Sequence, residues 1–306
     1  MTTALITHSD CLKHENPLGH PERVDRLHAI NAALENVQGL ARIDAPMGTD
    51  THIATTHPAS YIERIKTASP VDGWTQLDGD TSMSPGSLTA AYRAVGGIVE
   101  AVDQVLAGNV QNAFVACRPP GHHAETQTPM GFCLFGNVVI GARHALANGI
   151  SRVAIVDFDV HHGNGTQDLV WNDEAIFFAS THQMPLYPGT GAPSERGAHG
   201  NVLNIPLDPG SAGAALHAAM ERDILPALEA HEPEMLFISA GFDAHERDPL
   251  ANLNWTDADF GKVTRTLLDF ADTHCGGRVV STLEGGYDLQ GLAGGVTAHL
   301  TAMMER

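Results

Sequence analysis

A single α/β domain with a mainly parallel central β-sheet and helices on both faces is the fold class this sequence predicts. Three observations carry the expectation. Apolar runs of strand length recur without polar alternation, the pattern of strands covered on both faces. Helical segments separate most of them, the order that builds parallel sheets. The 306 residues contain no repeat, low-complexity tract or linker, and one large α/β domain accommodates that length. Residues 1–306 are therefore expected to form one domain.

Taken in order, ALIT at 4–7 reads as the first buried strand, followed by a helical stretch at 21–36. The connection across 50–85 is rich in Gly, Pro, Thr and His and long enough to carry function. A helix over 86–107 leads into the strand NAFVAC at 112–117, and a helix over 137–148 into RVAIVDFDV at 152–160. AIFFAS at 175–180 and NVLNIPL at 201–207 follow, separated by a second long connection at 182–200. The remaining order is helix 211–230, strand EMLFISA at 234–240, helix 256–275, strand RVVSTLE at 278–284 and helix 288–304.

Composition excludes several function classes. The 17 Lys+Arg stand against 36 Asp+Glu, a formal net charge of −19, which argues against a phosphate-tracking nucleic-acid surface. Cys11, Cys117, Cys133 and Cys275 are scattered with no CxxC pair, as expected of free thiols in a reducing compartment. The N-terminal stretch lacks the basic and apolar regions of a signal peptide, and no segment approaches about 18 uninterrupted apolar residues. The expectation is a cytoplasmic protein with no membrane partner, its oligomeric state left open to a homo-oligomer.

Open parallel sheets bind ligands beyond the carboxyl ends of their strands. The polar segments stand there: CRPPGHHAE, DFDVHHGNG, STH, GFDAHERDP and EGGYD each follow or close an apolar run. Asp157, Asp159 and His161 are spaced at i, i+2 and i+4, so a strand's two-residue period points them to one side. Asp159 and His161 are thus pre-placed around one point, and Asp243 at another strand end could complete the set. Two Asp and one His balance a divalent charge and leave a position for water, as catalytic sites do. Alone, DxDxHH equally describes capping or an Mg²⁺ site. His122 and His123 after the Pro119-Pro120-Gly121 turn supply adjacent imidazoles suited to acid–base work. Tyr287 follows Gly285-Gly286, a turn that lets a phenol lean into a cleft as an oxyanion donor. The ordinary alternatives are surface histidines and a plain turn.

Together these segments resemble the histone deacetylase family, within the arginase–deacetylase fold. The resemblance runs through HPERVDR (20–26), RPPGHHA (118–124), GFC (131–133), DFDVHHGNGT (157–166), STH with YPGTG (180–191), SAGFDAHERDPL (239–250) and EGGYD (284–288). Its wording is closer to the class II and bacterial deacetylase-like amidohydrolases than to class I. The resemblance implies one Zn²⁺ per chain on Asp159, His161 and Asp243, and a zinc-activated water attacking an amide carbonyl polarised by Zn²⁺ and Tyr287. It implies His123 as general base and acid, partnered by Asn164 where relatives have Asp or Asn, and a cationic His122 oriented by Asp157. An amide partner gives less anionic support, so a less basic His123 is expected. A structural K⁺ is implied on Asp157, Ser180 and Thr181, with backbone carbonyls of Asp159, His161 and Thr181. Gly131, Phe132, Tyr187 and Leu250 would line an acyl-lysine tunnel, Gly285 and Gly286 would flank Tyr287, and Arg26 corresponds to the arginine of the product channel.

The activity so implied is zinc-dependent removal of acetyl or short acyl groups from acyl-lysine. Acetylpolyamine hydrolysis is the alternative; the polyamine-preferring relative carries Glu where this chain has Leu250. An arginase-like hydrolase would need a two-manganese ligand set, and a non-catalytic acyl-binding protein would not need the full His, Tyr and ligand complement. Asp-rich ligation also tolerates Fe²⁺ or Co²⁺.

Overall fold

The computed structural model describes residues 2–305. β1 (Thr3–Thr7) leads through α1 (Asp25–Leu34) to β2 (Leu40–Asp44). Helices α2 (Asp50–Ala54) and α3 (Ala59–Ala68) and a small hairpin, β3 (Thr75–Gln76) with β4 (Ser82–Met83), precede α4 (Ser87–Leu106). Then come β5 (Asn112–Val115), α5 (Asn137–Ala147), β6 (Val153–Asp157), α6 (Asn164–Val170), β7 (Ile176–Gln183) and β8 (Val202–Leu207). The chain closes with α7 (Gly213–Ala219), α8 (Leu225–His231), β9 (Met235–Ala240), α9 (Asp257–His274), β10 (Val279–Leu283) and α10 (Leu289–Met304).

Eight strands form one sheet in the order β2-β1-β5-β10-β9-β6-β7-β8, and every pairing in it is parallel. The alternation along β5 shows that both faces are covered. Phe114 meets His299 of α10 at 5.3 Å between ring centroids, while the next residue, Val115, faces Gly97 of α4. Each large side chain buried this way contributes about 1.5–3 kcal/mol, more than the net worth of any one hydrogen bond, so burial on two faces sets the architecture. Among the described residues no helix is long and apolar enough to cross a membrane.

Several boundaries differ from the sequence reading, each for a local reason. The 50–85 connection holds α2, α3 and the hairpin. β2 escaped because it is an edge strand, only half-buried. The 211–230 helix is two helices joined through a π turn at Met220–Ile224. β6 ends at Asp157 rather than at residue 160. At the other end of the chain Asp288 caps α10, accepting from the Gly291 amide at 2.8 Å, and a cap of this kind is worth about 1 kcal/mol. It also fixes the start of α10 immediately after Tyr287.

The motif-bearing strands β5, β10, β9, β6 and β7 are five consecutive neighbours in the sheet. Their carboxyl ends therefore share one rim.

Candidate active site

Beyond Asp157 the ladder stops, yet the two-residue alternation continues. Asp157 Oδ1 accepts the Asp159 amide at 3.0 Å, and Asp159 Oδ1 accepts the His161 amide at 2.9 Å. Two successive aspartate turns thus do the work the sequence reading gave to a strand. They bring Asp159 and His161 to Asp243, whose Oδ1 is held by the Val160 amide at 2.9 Å.

The donor atoms of Asp159, His161 and Asp243 all lie within 4.8 Å of one another, on three buried residues. His161 Nδ1 is 3.2 Å from Asp159 Oδ1 and 3.1 Å from Asp243 Oδ2. Ligand atoms at Zn²⁺ bond lengths in a tetrahedron stand about 3.3 Å apart, so the set fits a small divalent cation. The electrostatics agree: burial disfavours charge on His161, but the two carboxylates outweigh it and raise the imidazole to about 10. That field attracts any cation. Gly285 has to be glycine here, because a Cβ would strike the Asp243 and Asp159 carboxylates, and its amide donates to Asp159 Oδ2 at 2.8 Å.

Next to this cluster the rings of His122 and His123 lie 4.0 Å apart. His122 Nδ1 is 3.0 Å from Asp157 Oδ2. Burial opposes its charge, but Asp159 and Asp157 prevail and hold it well above the ordinary histidine range. His123 goes the other way: burial, then the repulsion of His122 and His161, hold it well below that range. Its Nδ1 is 2.7 Å from Asn164 Oδ1. The Asn164 amide nitrogen is committed to Glu125 Oε1 at 2.9 Å, so Nδ1 carries the proton and Nε2 the lone pair.

Glu284 is the support behind the pair. Its Oε2 accepts the Gly121 and His122 amides at 2.7 and 3.1 Å, and Ser239 donates to Oε1 at 3.1 Å. Burial pushes this carboxyl up to about 7.

Tyr287 is buried beside the cluster, and burial and then Asp243 hold its phenol well above the ordinary range. Arg26 lies beneath it, with the guanidinium carbon 5.0 Å from the ring centroid. Its donors go to Gly286 O at 2.6 Å, Glu284 O at 2.5 Å and Glu22 Oε1 at 3.1 Å. Asp248 accepts the Tyr287 amide at 2.7 Å, and burial followed by Asp243 raises it to about 7.

A cavity of about 220 Å³ opens above these groups, with Phe132, Leu186, Tyr187 and Leu250 as walls and His123, His161 and Tyr287 at the floor. Tyr187 is 38% exposed at the mouth and meets the His123 ring edge-on at 5.2 Å. Phe132 sits at φ 69°, a strained conformation for an aromatic residue. The strain is held by two bonds, Gly131 N to Asp80 Oδ1 at 3.1 Å and Phe132 N to Thr81 Oγ1 at 2.9 Å. A larger cleft of about 920 Å³ lies at the opposite strand ends, near Thr2, Gln111 and Arg278. It gathers no comparable set of titratable groups, so chemistry rather than volume marks the site.

The sequence-predicted residues are thus brought together, with two at a remove. Ser180 is the register partner of Asp157 across β6 and β7, and its hydroxyl meets His182 Nδ1 at 2.9 Å. The Thr181 hydroxyl is buried without a partner. Sequence reasoning missed Asp80, Glu125, Asp248, Glu284 and Leu186. Glu284 and Asp248 lay inside quoted motifs at strand ends, a position that itself was a signal; Asp80 ends the turn Asp78-Gly79-Asp80, which offered only turn chemistry.

Comparison with known proteins agrees with this geometry. The Histone deacetylase domain family model matches residues 20–303. A probable deacetylase of Archaeoglobus fulgidus is 36% identical over 299 residues, covering 95% of this chain and 83% of its own. A histone deacetylase-like amidohydrolase of Pseudomonas aeruginosa is 39% identical over 278 residues, covering 88% of this chain and 73% of its own. Among solved structures, the crystal structure of the HDA15 HD domain superposes with a TM-score of 0.95 at 33% identity, covering 100% of this chain and 90% of that one.

Proposed function

Since the chain belongs to the histone deacetylase family, whose members act as deacetylases, we propose that residues 1–306 form one catalytic domain, a zinc-dependent amidohydrolase that removes acetyl or short acyl groups from acyl-lysine. The observation that carries this reading is the cavity floor, where a lone-pair imidazole, a phenol and an Asp/His/Asp donor set converge below walls that are apolar except at Asp80. Asp159, His161 and Asp243 would hold Zn²⁺, which supplies Lewis-acid activation of water and of the amide carbonyl.

The residues then divide the work. Phe132 and Tyr187 hold the apolar stem of an acyl-lysine, with Gly131 setting the wall and Leu250 offering no charge to a second ammonium group. His123 Nε2 takes a proton from the attacking water and returns it to the departing amine. Asn164 keeps that nitrogen unprotonated and aimed. His122 remains cationic and stabilises the negative charge that develops, while the Tyr287 hydroxyl donates to the nascent oxyanion. Gly285 and Gly286 let the phenol lean in, and Arg26 braces the Glu284 and Gly286 carbonyls at the inner, product side. Asp157, Ser180 and Thr181 are assigned to a structural K⁺. In support, burial pushes Asp157 up to about 6 despite His122, so its charge has room for further compensation. All four cysteines are free thiols, in keeping with the cytoplasmic location we assign.

The test is turnover of an acetyl-lysine peptide beside N-acetylputrescine and N8-acetylspermidine, with metal-free and Zn²⁺-reconstituted protein. Zinc-dependent preference for the peptide is expected. Preference for the polyamines would move the substrate to acetylpolyamines and overturn the role given to Leu250; no zinc-dependent turnover of either would overturn the chemistry.

A further inference from the structure

We propose that Asp248 is a positioning residue for Tyr287, one buried carboxylate that ties the phenol's backbone and the tunnel wall to a common support. The inference rests on the role given to Tyr287 above. Asp248 Oδ2 accepts the Tyr287 amide at 2.7 Å and the Asp288 amide at 3.2 Å, while Oδ1 accepts the Leu250 amide at 3.0 Å.

The Leu250 bond spans two residues and by itself is an ordinary aspartate turn. The other oxygen is not explained that way, since it reaches 39 residues along the chain to a different strand end. The segment it reaches needs outside support: Gly286 stands at φ 120°, in backbone space other residues rarely visit, and two adjacent glycines place few limits on their own torsions. Arg26 holds this turn by its carbonyls from within; Asp248 holds it by its amides from the side of Leu250. Because the same carboxylate fixes the wall at Leu250, it couples tunnel wall and phenol from within, while Arg247 ties the same two segments at the surface through Asp288 at 3.3 Å and Gln290 at 2.7 Å.

Asp248→Asn tests this, because asparagine offers one acceptor where aspartate offers two, and one link has to break. In metal-free protein, amide hydrogen exchange at 287–288 or at 250 is expected to quicken about tenfold while β10 stays protected. In the zinc-loaded enzyme kcat is expected to fall about 10- to 100-fold, with KM within about threefold. The decisive arm is the cycle with Tyr287→Phe: in that background Asp248→Asn is expected to cost less than about twofold, since its effect runs through the phenol. Equal losses in both backgrounds, or unchanged kcat, overturn the proposal. Retention of full rate by Tyr287→Phe alone would instead overturn the reading of Tyr287, a separate outcome. If Asp248→Asn does not fold, Asp248→Ser carries the same cycle.

Discussion

Two pairs of buried imidazoles flank the strand end that carries Asp159 and His161. His122 and His123 lie 4.0 Å apart, His162 and His182 4.8 Å apart, and all four rings are almost wholly buried. Only the first pair is split. Asp157 and Asp159 hold His122 high, and His122 in turn helps hold His123 low. In the second pair burial dominates both rings, which fall to about 3 and about 4. Their nitrogens meet neutral partners: Thr190 and Gln167 for His162, Ser180 and Gly191 O for His182. The second pair latches the 184–191 loop that carries Tyr187. One residue type therefore forms a charge-split pair or a neutral loop anchor according to whether carboxylates stand behind it and a cavity in front.

The largest expected effect removes what only the first pair has beside it. Asp243→Ala is expected to abolish zinc retention and lower turnover about a thousandfold or more, the scale of several kcal/mol of lost stabilisation. Metal analysis checks it, and stoichiometric zinc in that variant would contradict the ligand assignment. Next come the floor residues. Tyr287→Phe should keep zinc and lose about 10²–10³ in kcat. His123→Ala should cost about 10²–10⁴ and exceed His122→Ala; the reverse order in steady-state kinetics sinks the base assignment. Across the comparison, His162→Phe should leave kcat within about threefold and raise KM a few-fold, because it frees the Tyr187 loop at Thr190 and one Gln167 bond rather than a group of the cavity floor. A collapse of kcat there would erase the distinction between the pairs.

The degree to which sequence exposed all this follows the range of the interaction. Continuous apolar runs marked every central strand, because burial on both faces leaves a local signature. The edge strand β2 and helices α2 and α3 left a weaker one. In the site, Asp159, His161, Asp243, His122, His123 and Tyr287 stood out because each lies just past a strand end in a distinctive local pattern, while the roles expected of them came from the family resemblance. Glu284, Asp248 and Glu125 lay inside quoted segments, but what they and Asp80 hold was not legible, because the partners concerned lie 39 to 163 residues away in the chain. A carboxylate that accepts distant backbone amides looks like any other acidic residue until the fold supplies the amides. Phe132 belongs to both groups: its place in the tunnel wall was readable, its left-handed backbone was not.

The smallest effect concerns stability, and it separates His122 from the second pair by sign. His162 and His182 titrate in the folded protein below the ordinary value of about 6.5. Between that value and about 4 the unfolded chain therefore binds more protons than the folded one, so stability is fully present at pH 7 and falls as the pH drops. Each such imidazole contributes a slope of at most about 1.4 kcal/mol per pH unit. His162→Phe gives up two neutral hydrogen bonds, a loss of about 1 kcal/mol each at pH 7, but removes one titrating group. Its urea midpoint should accordingly start lower than wild type at pH 7 and decline less between pH 6.5 and 4.5. His122 has the opposite leaning, since its carboxylates favour the protonated ring in the folded state, so replacing it should not flatten the acid-side decline. Parallel midpoint curves for wild type and His162→Phe would show that burial does not keep this pair neutral, and the contrast between the two pairs would then rest on hydrogen-bond partners alone.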